Sequence, residues 1–593
     1  MSATVGEAAM VAGAVSALLD FGLPQDGPQA RLRCAFGAPL RVLQADRADQ
    51  VLPLLDAVQA ESAAGRWCVG FVAYEAAPAF DAALRVHDAD GPLAWFAVFD
   101  QAMPWPDAAE LAALPPARAR WDEGPDRAGF ARDMAAIQSA IAAGDCYQIN
   151  HTARLKGELL QGSALALYAA LHRAQPGGYS AYLDMGGRQL LSVSPELFFD
   201  WDGSRLLVRP MKGTAARGAT PEADHANAAA LRASDKERAE NVMIVDLIRN
   251  DLSRVAQPFS VKVPQLFELQ ALPTVWQMTS DVTADSRAGT TLADVFRALF
   301  PCGSVTGAPK VQAMRLIHQL EPVPRGAYCG AIGVVRPGGR ATFNVAIRTV
   351  SAQGSRLHCG IGSGITSGAT VLGEWQEWRN KRVFLDRASE PFDLLETLAL
   401  QAGVLRNLDL HLARLQRAAS HFGYPFDESA LRAGLAELAR AHAEGLWRVR
   451  VLLDAGGRHQ VQAFAMEASP SQVTLLLAER PFEAAHSEFV RYKTTRRAHY
   501  DAAAPAQPGV FDAILWNEQG ELTECTRGNL ALQIDGQWLT PALSSGLLDG
   551  IGREVALREG RVREAVLRVD DLQRATGLAF LNSLRGWIPA RLA

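Results

Sequence analysis

The sequence predicts an α+β fold that is divided between two domains. Strand-like runs of β-branched and aromatic residues alternate with segments of helical periodicity along the chain, as in 67–74 and 129–144. The length of 593 residues exceeds the roughly 100 to 200 residues of a single domain. Apolar residues make up 49% of the chain and charged residues 21%, a composition typical of folded globular proteins. The chain therefore holds more than one hydrophobic core.

Two changes of pattern divide the chain into three regions. Five prolines fall within 101–127, where we expect regular structure to fail. At 388–391 a helical segment ends at a proline, and a strand-like run over 392–405 and a helical run over 411–422 follow. We therefore predict an N-terminal lobe over 1–120, a catalytic core over 121–387 and a C-terminal domain over 388–593.

Charge and cysteine content exclude several classes of protein. The formal net charge of −5 provides no global basic field for binding nucleic acid or an acidic membrane, which favours work on small molecules. The seven cysteines are scattered without a CxxC pair, so they indicate neither a disulfide framework nor a zinc site. The N-terminus lacks a basic start and no run of 18 or more apolar residues occurs. We expect a soluble, cytoplasmic protein.

A first candidate site lies on a helix predicted over 233–255. Ser234 followed by Glu237 is a capping-box pattern, and no proline or glycine interrupts the segment. At 100° per residue, Glu240 projects on the same side as Leu247 and Asp251, so carboxylates share a face with apolar residues and need partners. A slightly rotated helix with a hydrated Glu240 is an equal alternative.

A second acidic segment spans 373–381. Glu374, Glu377 and Lys381 are three and four residues apart and therefore line one face of a helix. The spacing fits a surface ion pair between Glu377 and Lys381, and it also fits a magnesium site, since magnesium prefers carboxylate oxygens and water. Spacing alone does not decide between them.

Two glycine-rich segments, 302–310 and 360–364, do not match nucleotide-binding loops. The first lacks the Gly-Lys-Ser/Thr ending of an ATP-binding loop, and the second lacks the third-glycine spacing of a dinucleotide fingerprint. Without side chains, however, such loops let a carboxylate approach backbone N–H groups.

Eight motifs in one order resemble the chorismate-binding family, which includes anthranilate, isochorismate and salicylate synthases and aminodeoxychorismate synthase component I. They are GDCYQIN (144–150), SPELFF (194–199), RPMKGTAARG (209–218), KERAENVMIVDLIRND (236–251), FPCGSVTGAPK (300–310), YCGAIG (328–333), FNVAIRT (343–349) and the segment 374–381.

The resemblance implies a magnesium site and a site for a dianionic substrate. Magnesium would be held by Glu240, Glu374 and Glu377. Charge-assisted bonds suit the two carboxylates of chorismate. The groups that the resemblance assigns to the substrate are Thr306, Gly307, Tyr328, Arg348, Gly362, Ser363, Gly364 and Lys381.

Lys212 distinguishes subfamilies within this resemblance. Aminodeoxychorismate synthases carry lysine at this position, whereas the other synthases typically carry alanine, so the resemblance makes Lys212 the nucleophile that attacks C2 of the ring. Glu196 resembles the general acid/base that handles the protons. Taken without these motifs, Lys212 would be read as an exposed loop lysine. Trp276 stands where many relatives have histidine, so a role for that histidine does not transfer.

The ammonia for such a reaction needs a source. None of the seven cysteines lies in the Gly-x-Cys-x-Gly context of a glutamine amidotransferase nucleophile. We expect a separate amidotransferase subunit to supply ammonia.

The last 200 or so residues resemble the class IV fold of pyridoxal-phosphate enzymes. The matching segments are ETLAL (396–400), HLARLQRAA (411–419), YKTTRRAHYDAA (492–503), ELTECTRGNL (521–530), TPALSSGLLDGIGR (540–553) and FLNSLRG (580–586). The resemblance implies pyridoxal 5′-phosphate as cofactor and leaves room for a homodimer formed through this domain.

The resemblance also assigns roles around that cofactor. Lys493 would bind it covalently, Glu524 would pair with the pyridine nitrogen, and Arg414 would bind the phosphate. The backbone N–H groups of Ile551 and Gly552 would assist Arg414, and Arg585 is a candidate for a substrate carboxylate. A commonplace alternative is that Glu524 caps a turn and Arg414 extends from a helix surface.

Together the two resemblances imply a bifunctional enzyme of folate biosynthesis that makes 4-aminobenzoate from chorismate through 4-amino-4-deoxychorismate. The alternative is an anthranilate or isochorismate synthase whose C-terminal domain is a non-catalytic docking module.

Overall fold

The computed structural model describes residues 15–27, 29–218, 221–272 and 275–593. The chain forms two compact units, Met1–Pro391 and Phe392–Ala593. Both mix helices with sheets, which confirms the predicted α+β class. In the described part of the chain no helix is long and apolar enough to cross a membrane.

Two ten-stranded sheets form the first unit. In spatial order the first sheet contains Gly307–Ala308, Gln148–Gln161, Arg356–Thr366, Thr349–Gln353, Gln189–Ser194, Tyr179–Asp184, Ala17–Gly22, Arg31–Phe36 and Met103–Pro104, with Arg118–Trp121 also paired to Gln148–Gln161. The second contains Met211–Ala216, Val275–Asp285, Arg205–Arg209, Leu197–Trp201, Ala341–Val345, Ala331–Val335, Trp67–Val72, Ala94–Phe99 and Arg41–Ala45, with Lys262–Ala271 also paired to Val275–Asp285.

Helices cover the outer face of each sheet and form one hydrophobic core with it. A third hydrophobic core lies between the two sheets. The inter-sheet core joins side chains of both, such as Phe21 of the first sheet and Ile332 of the second. The helices are Ala48–Ala63, Ala108–Ala112, Arg127–Ala142, Ala164–Ala174, Pro221–Ala233, Asp235–Ser253, Leu292–Leu299, Lys310–Leu320 and Val371–Ser389, with short 3₁₀ turns at Tyr74–Ala79 and Gly303–Val305.

The first hundred residues contribute strands to both sheets. Ala17–Gly22 pairs with Tyr179–Asp184, and Trp67–Val72 pairs with Ala331–Val335. The expectation that regular structure fails over 101–127 is wrong in part, because this stretch contains a two-residue strand, a helix and the strand Arg118–Trp121. The last of these forms because it can pair with the exposed edge of the long strand Gln148–Gln161. The predicted division at residue 120 stays a prediction.

The second unit contains two smaller sheets. A four-stranded sheet has the order Val404–Leu405, Leu394–Gln401, Leu446–Leu453, His459–Ala465, and an eight-stranded sheet has the order Leu522–Cys525, Asp512–Trp516, Val473–Leu477, Gly586–Leu592, Gly577–Asn582, Asn529–Ile534, Gln537–Pro541, Arg563–Ala565. The helices are Leu408–Phe422, Glu428–Ala441, Glu488–Arg491, Ala498–Asp501, Ile551–Arg558 and Asp571–Arg574, with a 3₁₀ turn at Leu543–Ser545. The apolar face of Leu408–Phe422 packs on the smaller sheet through Leu412, Leu415 and Phe422.

Candidate active sites

Lys212 lies in a pocket rather than on an exposed loop. It belongs to the strand Met211–Ala216. Its Nζ is 3.7 Å from a carboxylate oxygen of Glu240, and 14% of each side chain is exposed. Gly364 leaves space for it, since a Cβ there would lie 2.3 Å from Lys212 Nζ. Only glycine at 364 therefore admits the lysine in this position.

The helix that carries Glu240 begins where the sequence predicts. The Ser234 side chain accepts a hydrogen bond from the backbone N–H of Glu237, and the helix runs over Asp235–Ser253. Glu240 accepts a hydrogen bond from Thr366 Oγ1 at 3.1 Å. The hydrated alternative for Glu240 is not what the structure shows, since this carboxylate faces Lys212.

Glu374 and Glu377 lie on the helix Val371–Ser389. Ser363 Oγ donates to Glu374 at 2.6 Å, and burial, together with the charge of Glu377, raises the pKa of Glu374. Lys381 Nζ is 2.6 Å from Glu377, so the ion pair offered as the alternative to a metal site is formed. Partial desolvation acts to raise the pKa of Glu377, but Lys381 and other lysines outweigh it and the pKa falls.

The three carboxylates are suitable magnesium ligands by type, but their side chains do not converge on one point in this structure. Glu240, Glu374 and Glu377 offer the hard oxygen ligands that magnesium prefers, and Lys212 acts electrostatically on both Glu374 and Glu377. Among the described residues, no three His, Cys, Asp or Glu side chains converge closely enough to hold a metal. Instead, Lys381 pairs with Glu377 at 2.6 Å and Lys212 lies 3.7 Å from Glu240, so lysine charges compensate these carboxylates in this structure.

Glu196 lies at the start of the strand Leu197–Trp201 and is 3% exposed. Its Oε1 atom has no hydrogen-bond partner within the described residues. Burial raises the Glu196 pKa to about 7, against a hydrogen bond from Ser304 and the charges of Lys212 and Lys381. A carboxyl group with such a pKa exchanges a proton readily near neutral pH.

Arg348 is a largely buried cation for which no acidic partner is found among the described residues. Burial lowers its pKa to about 10, and its Nη1 atom has no hydrogen-bond partner in the described ranges. Its φ of +48° is unusual for a non-glycine residue and costs on the order of 1 kcal/mol or more. A guanidinium held in this way can accept an anionic ligand.

The other predicted substrate residues lie along the strand Arg356–Thr366 or beside it. Lys381 Nζ donates to the carbonyl oxygen of Gly362 at 2.9 Å. A Cβ on Gly360 would lie 2.1 Å from the ring of Tyr328, so that ring covers the glycine. Thr306 is fully buried and donates to the carbonyl oxygen of Cys302 at 3.0 Å. The neighbouring Gly307, with φ of +145°, lies against the backbone of Gln148.

Sequence reasoning missed two residues of this site. Gln148 is fully buried, both its side-chain polar atoms lack partners among the described residues, and its Nε2 lies against Gly364. Glu237 shares the carboxylate group, since burial and the charge of Glu240 raise its pKa. The GDCYQIN motif contained the first signal. Trp276, which replaces the usual histidine, donates to Asp224 at 3.0 Å, while the preceding Pro273 and Thr274 lie outside the described residues.

The second unit holds a separate group of titratable residues. Lys493 follows the short helix Glu488–Arg491, and its carbonyl oxygen accepts a hydrogen bond from Leu395 N–H at 3.0 Å. Burial and the charges of Arg497 and Arg414 lower its pKa to about 8. A substantial fraction of Lys493 is therefore neutral near physiological pH, as covalent binding of an aldehyde requires.

Glu524 is buried on the strand Leu522–Cys525. Burial raises its pKa to about 7, against hydrogen bonds from the Tyr500 hydroxyl and the Leu548 N–H. The Tyr500 bond is 2.6 Å and the Leu548 bond 3.2 Å long. The turn-capping alternative for Glu524 does not hold, because the residue lies inside a strand.

Arg414 is buried rather than extended from a helix surface. Its Nε and Nη2 atoms donate to the two oxygens of Glu396 at 2.8 and 2.7 Å, and Nη1 donates to the Asp549 carbonyl at 3.0 Å. His411 lies between Glu396 and Ser583, with 2.6 Å contacts on both sides. This network holds the guanidinium near the beginning of the helix Ile551–Arg558.

The predicted phosphate contacts are close to one another. Ile551 and Gly552 are the first residues of their helix, and a Cβ on Gly552 would lie 2.6 Å from the backbone of Asn582. Arg585 lies in the next turn, where its N–H donates to Asn582 Oδ1 at 2.7 Å. Helix N-termini bind phosphate well, so the donor set fits this cofactor. Sequence reasoning missed Tyr500 and Ser583, which only tertiary contacts bring here.

Comparisons with known proteins divide the chain in the same place as the two compact units. Residues 24–386 match the family model described as chorismate binding enzyme, and residues 393–593 match that of class IV amino-transferases. The sequence is 38% identical over 298 residues to aminodeoxychorismate synthase component 1 of Salmonella typhimurium, which covers 50% of this chain and 64% of that protein. It is 36% identical over 262 residues to anthranilate synthase component 1 of Pseudomonas putida, which covers 44% of this chain and 53% of that protein.

A solved structure supports the fold of the first unit. The crystal structure of anthranilate synthase component I from Streptococcus pneumoniae matches with a TM-score of 0.53 at 24% identity, covering 61% of this chain and 93% of that chain. The chain spans 64%, 58% and 57% of the length of three aminodeoxychorismate synthase components that it matches. Both aminodeoxychorismate synthase and anthranilate synthase components match this chain, so the comparisons alone do not assign it to one subfamily. That assignment depends on the side chains of the candidate sites.

Proposed function

We propose, from the premise that this chain belongs to the family of chorismate binding enzymes, that its first unit converts chorismate and ammonia to 4-amino-4-deoxychorismate. The second unit then eliminates pyruvate from that product and leaves 4-aminobenzoate, a step of folate biosynthesis. The observation that carries the proposal is the position of Lys212, partly buried beside Glu240 and against Gly364.

Lys212 is the nucleophile of the first reaction. Its Nζ forms a bond to C2 of the ring while the C4 hydroxyl leaves, and ammonia then bonds to C4 and expels Lys212 from C2. Glu196, whose pKa of about 7 suits proton exchange, gives a proton to the leaving hydroxyl and later accepts one from the incoming ammonia. Water is the second product, so the atoms balance.

Arg348 and Lys381 bind the substrate carboxylates in this scheme. Within the part of the chain that the structure describes, Arg348 has no acidic partner to displace, so it offers its charge without breaking an ion pair. Tyr328 and the backbone of 362–364 line the rest of the site, with Thr306 and Gly307 nearby. Glu240, Glu374 and Glu377 would hold magnesium, which stabilises developing negative charge on a departing oxygen.

The second unit uses its own residues around pyridoxal phosphate. The cofactor, when bound, supplies an electron sink. Lys493, with a pKa lowered to about 8, would be the base for the proton at C4 of the substrate. Glu524 would pair with the pyridine nitrogen, Arg414 with the N–H groups of Ile551 and Gly552 would hold the phosphate, and Arg585 would bind a substrate carboxylate.

A separate glutamine amidotransferase subunit supplies the ammonia. The matched relatives are named component 1 of their synthases, which supports a second component for this chain as well. A homodimer through the second unit remains part of the proposal.

A product assay tests both halves together. Purified protein is mixed with chorismate, magnesium and ammonium, with and without pyridoxal phosphate, and the products are separated. We expect 4-aminobenzoate with the cofactor and 4-amino-4-deoxychorismate without it. Anthranilate or isochorismate as the main product would overturn the synthase assignment.

Variants assign the two lysines. Lys212→Ala should lower amination on the order of 10³-fold or more, while Lys262→Ala, at an exposed lysine, should not. The wild type should absorb visible light after addition of pyridoxal phosphate, and Lys493→Ala should not. A colourless wild type would remove the lyase claim and favour a docking module.

A further inference from the structure

The strand that carries Lys212 contains a β-bulge next to the lysine. Met211 pairs with Thr279. Three residues on, Thr214 pairs with Gln277, which is only two residues before Thr279. The strand of Lys212 therefore has one extra residue in this interval, and such a bulge bends a strand and changes the direction of its side chains. The bulge thus determines the direction in which Lys212 projects.

Gly213 allows the helix Asp235–Ser253 to pack closely on the bulge. Its φ of +98° lies in the region that favours glycine. A Cβ on Gly213 would lie 3.2 Å from Oε2 of Glu237 and 3.4 Å from its Cβ. The helix that holds Glu240 is therefore in contact with the same bulge that holds Lys212.

Two buried amide side chains bond consecutive carbonyl oxygens of the bulge. Asn241 of that helix donates through Nδ2 to the Lys212 carbonyl oxygen at 3.3 Å. Gln277 donates through Nε2 to the Gly213 carbonyl oxygen at 2.9 Å. Asn241 is 1% exposed and Gln277 is 8% exposed. Both bonds therefore lie out of water, where a carbonyl left without a donor is costly.

Asn241 is itself fixed by a second hydrogen bond. Ser280 Oγ donates to Asn241 Oδ1 at 2.6 Å, and the Phe267 N–H donates to Ser280 Oγ at 3.1 Å. With its oxygen bonded to Ser280, the amide directs its NH2 group to the Lys212 carbonyl oxygen. The two partners together fix the orientation of the amide.

We propose that Asn241 is a positioning residue that holds the backbone of Lys212 so that its Nζ is aimed at the substrate ring. The inference rests on the proposed function. Glu240, one residue before Asn241, lies 3.7 Å from Lys212 Nζ. One turn of helix therefore holds the nucleophile by its backbone and places a carboxylate beside its amine. Such fixation matters because a misplacement of about 1 Å can cost on the order of 100-fold in rate.

Formation of the Lys212 adduct tests this role. Without ammonia, the proposed reaction stops after Lys212 has bonded to C2 and water has left, so the protein gains the mass of chorismate less one water. Mass spectrometry follows this gain in wild type and in Asn241→Leu, whose side chain is of similar size but lacks the amide. We expect the rate at saturating chorismate to fall about 10- to 100-fold.

Steady-state amination separates positioning from binding. The kcat of Asn241→Leu should fall in parallel with adduct formation. KM for chorismate should change by less than about 3-fold, because Arg348 and Lys381 still bind the carboxylates.

Asn344→Leu is the matched control. Asn344 is a fully buried amide of the same unit, and its Nδ2 donates to the Tyr179 carbonyl oxygen at 2.8 Å. Its replacement should destabilise the protein and leave adduct formation within about 3-fold of the wild type. The double variant Asn241→Leu/Ser280→Ala also removes the hydroxyl that the leucine leaves without an acceptor. It should therefore recover stability without recovering the rate.

Adduct formation at the wild-type rate in Asn241→Leu would overturn the positioning role and leave the proposed function intact. An equal loss of rate in Asn344→Leu would also overturn it, because destabilisation alone would then explain the loss. Recovery of the rate together with stability in the double variant would have the same consequence. Wild-type protein that forms no adduct at Lys212 would overturn the nucleophile of the proposed function, and this inference with it.

Discussion

The hydroxyl of Tyr500 donates a hydrogen bond to Glu524 Oε1 at 2.6 Å, and this bond opposes the burial that raises the Glu524 pKa to about 7. The pair determines the pH range in which Glu524 is ionised. An ionised Glu524 is what the pyridine nitrogen of the proposed cofactor requires.

Tyr500→Phe should move the acid limb of pyridoxal phosphate binding to higher pH. Loss of the donor raises the Glu524 pKa further, so a higher pH is needed to ionise it, by about 0.5 to 1 unit. Cofactor affinity measured by absorbance across pH 5 to 9 provides the check. Tyr424→Phe, which removes a hydroxyl that bonds the Phe392 carbonyl, is the control and should leave the limb in place. An unmoved limb in Tyr500→Phe would refute this role.

Gly364→Ala should slow the first reaction on the order of 100-fold without unfolding the protein. The new Cβ would lie 2.3 Å from Lys212 Nζ and 2.8 Å from Gln148 Nε2, so the lysine must move. A displacement of about 1 Å can cost on the order of 100-fold in rate. Product formation and thermal unfolding are measured together, with Gly368→Ala as control, since a Cβ at Gly368 meets nothing within 4 Å. Full activity in Gly364→Ala would contradict the proposed position of Lys212.

Arg348→Met should stabilise the protein while removing its response to substrate. The pKa of Arg348 is lowered by burial to about 10, so its charge costs folding free energy below that pH, and the penalty fades only as pH rises above it. Removing the charge should gain on the order of 1 to 3 kcal/mol. Thermal unfolding at neutral pH, with and without chorismate, measures both effects. A ligand-induced shift that survives in Arg348→Met would show that the arginine does not bind substrate.

Glu396→Gln should destabilise the second unit and weaken cofactor binding. Arg414 and His411 hold the pKa of Glu396 well below its usual range despite burial. This stabilisation is therefore present at neutral pH and is lost only as pH falls below the ordinary range of a glutamate. Breaking one side of such a buried pair costs about 3 to 5 kcal/mol.

Chemical denaturation and pyridoxal phosphate titration measure that cost. Glu428→Gln, from an exposed pair with Arg432, is the control and should cost about 1 kcal/mol or less. Similar losses in the two variants would argue against a special role for the Glu396 network.

Local signals made part of the structure predictable from the sequence. The helix around Glu240 was predictable because its cap, its length and its apolar period all lie within one segment. The spacing of Glu374, Glu377 and Lys381 placed them on one helix face for the same reason. The glycines at 360–364 were recognisable from the sequence as a place where another group comes close to the backbone. The sequence did not indicate that Lys212 is a group that lies there.

Contacts between distant segments were not predictable in this way. Sheet order, which no single segment encodes, determines the surroundings of several site residues. Examples are the unpartnered Nη1 of Arg348 and side chain of Gln148 within the described chain, and the hydrogen bond from Tyr500 to Glu524. The strand Arg118–Trp121 was missed because proline content indicated a break, while a free sheet edge far along the chain supplied its partner. Residue type alone would predict that Lys212 lies on the surface. That prediction is wrong, because the missing side chain of Gly364 leaves space in which the lysine is only 14% exposed.

The interleaving of early strands into both large sheets has a consequence for biosynthesis. Ala17–Gly22 cannot pair with Tyr179–Asp184 until that later strand has been synthesised, and the same holds for Trp67–Val72 and Ala331–Val335. Neither sheet can therefore close while the ribosome is still making the middle of the unit. Ala17–Gly22 can pair early with Arg31–Phe36, and Trp67–Val72 with Ala94–Phe99. At about 5 to 20 residues per second, however, the other edge of each strand stays open for many seconds. Such non-local pairing also slows folding itself. The first unit should therefore depend on chaperones during translation, whereas the sheet Leu394–Ala465 can form soon after its residues emerge.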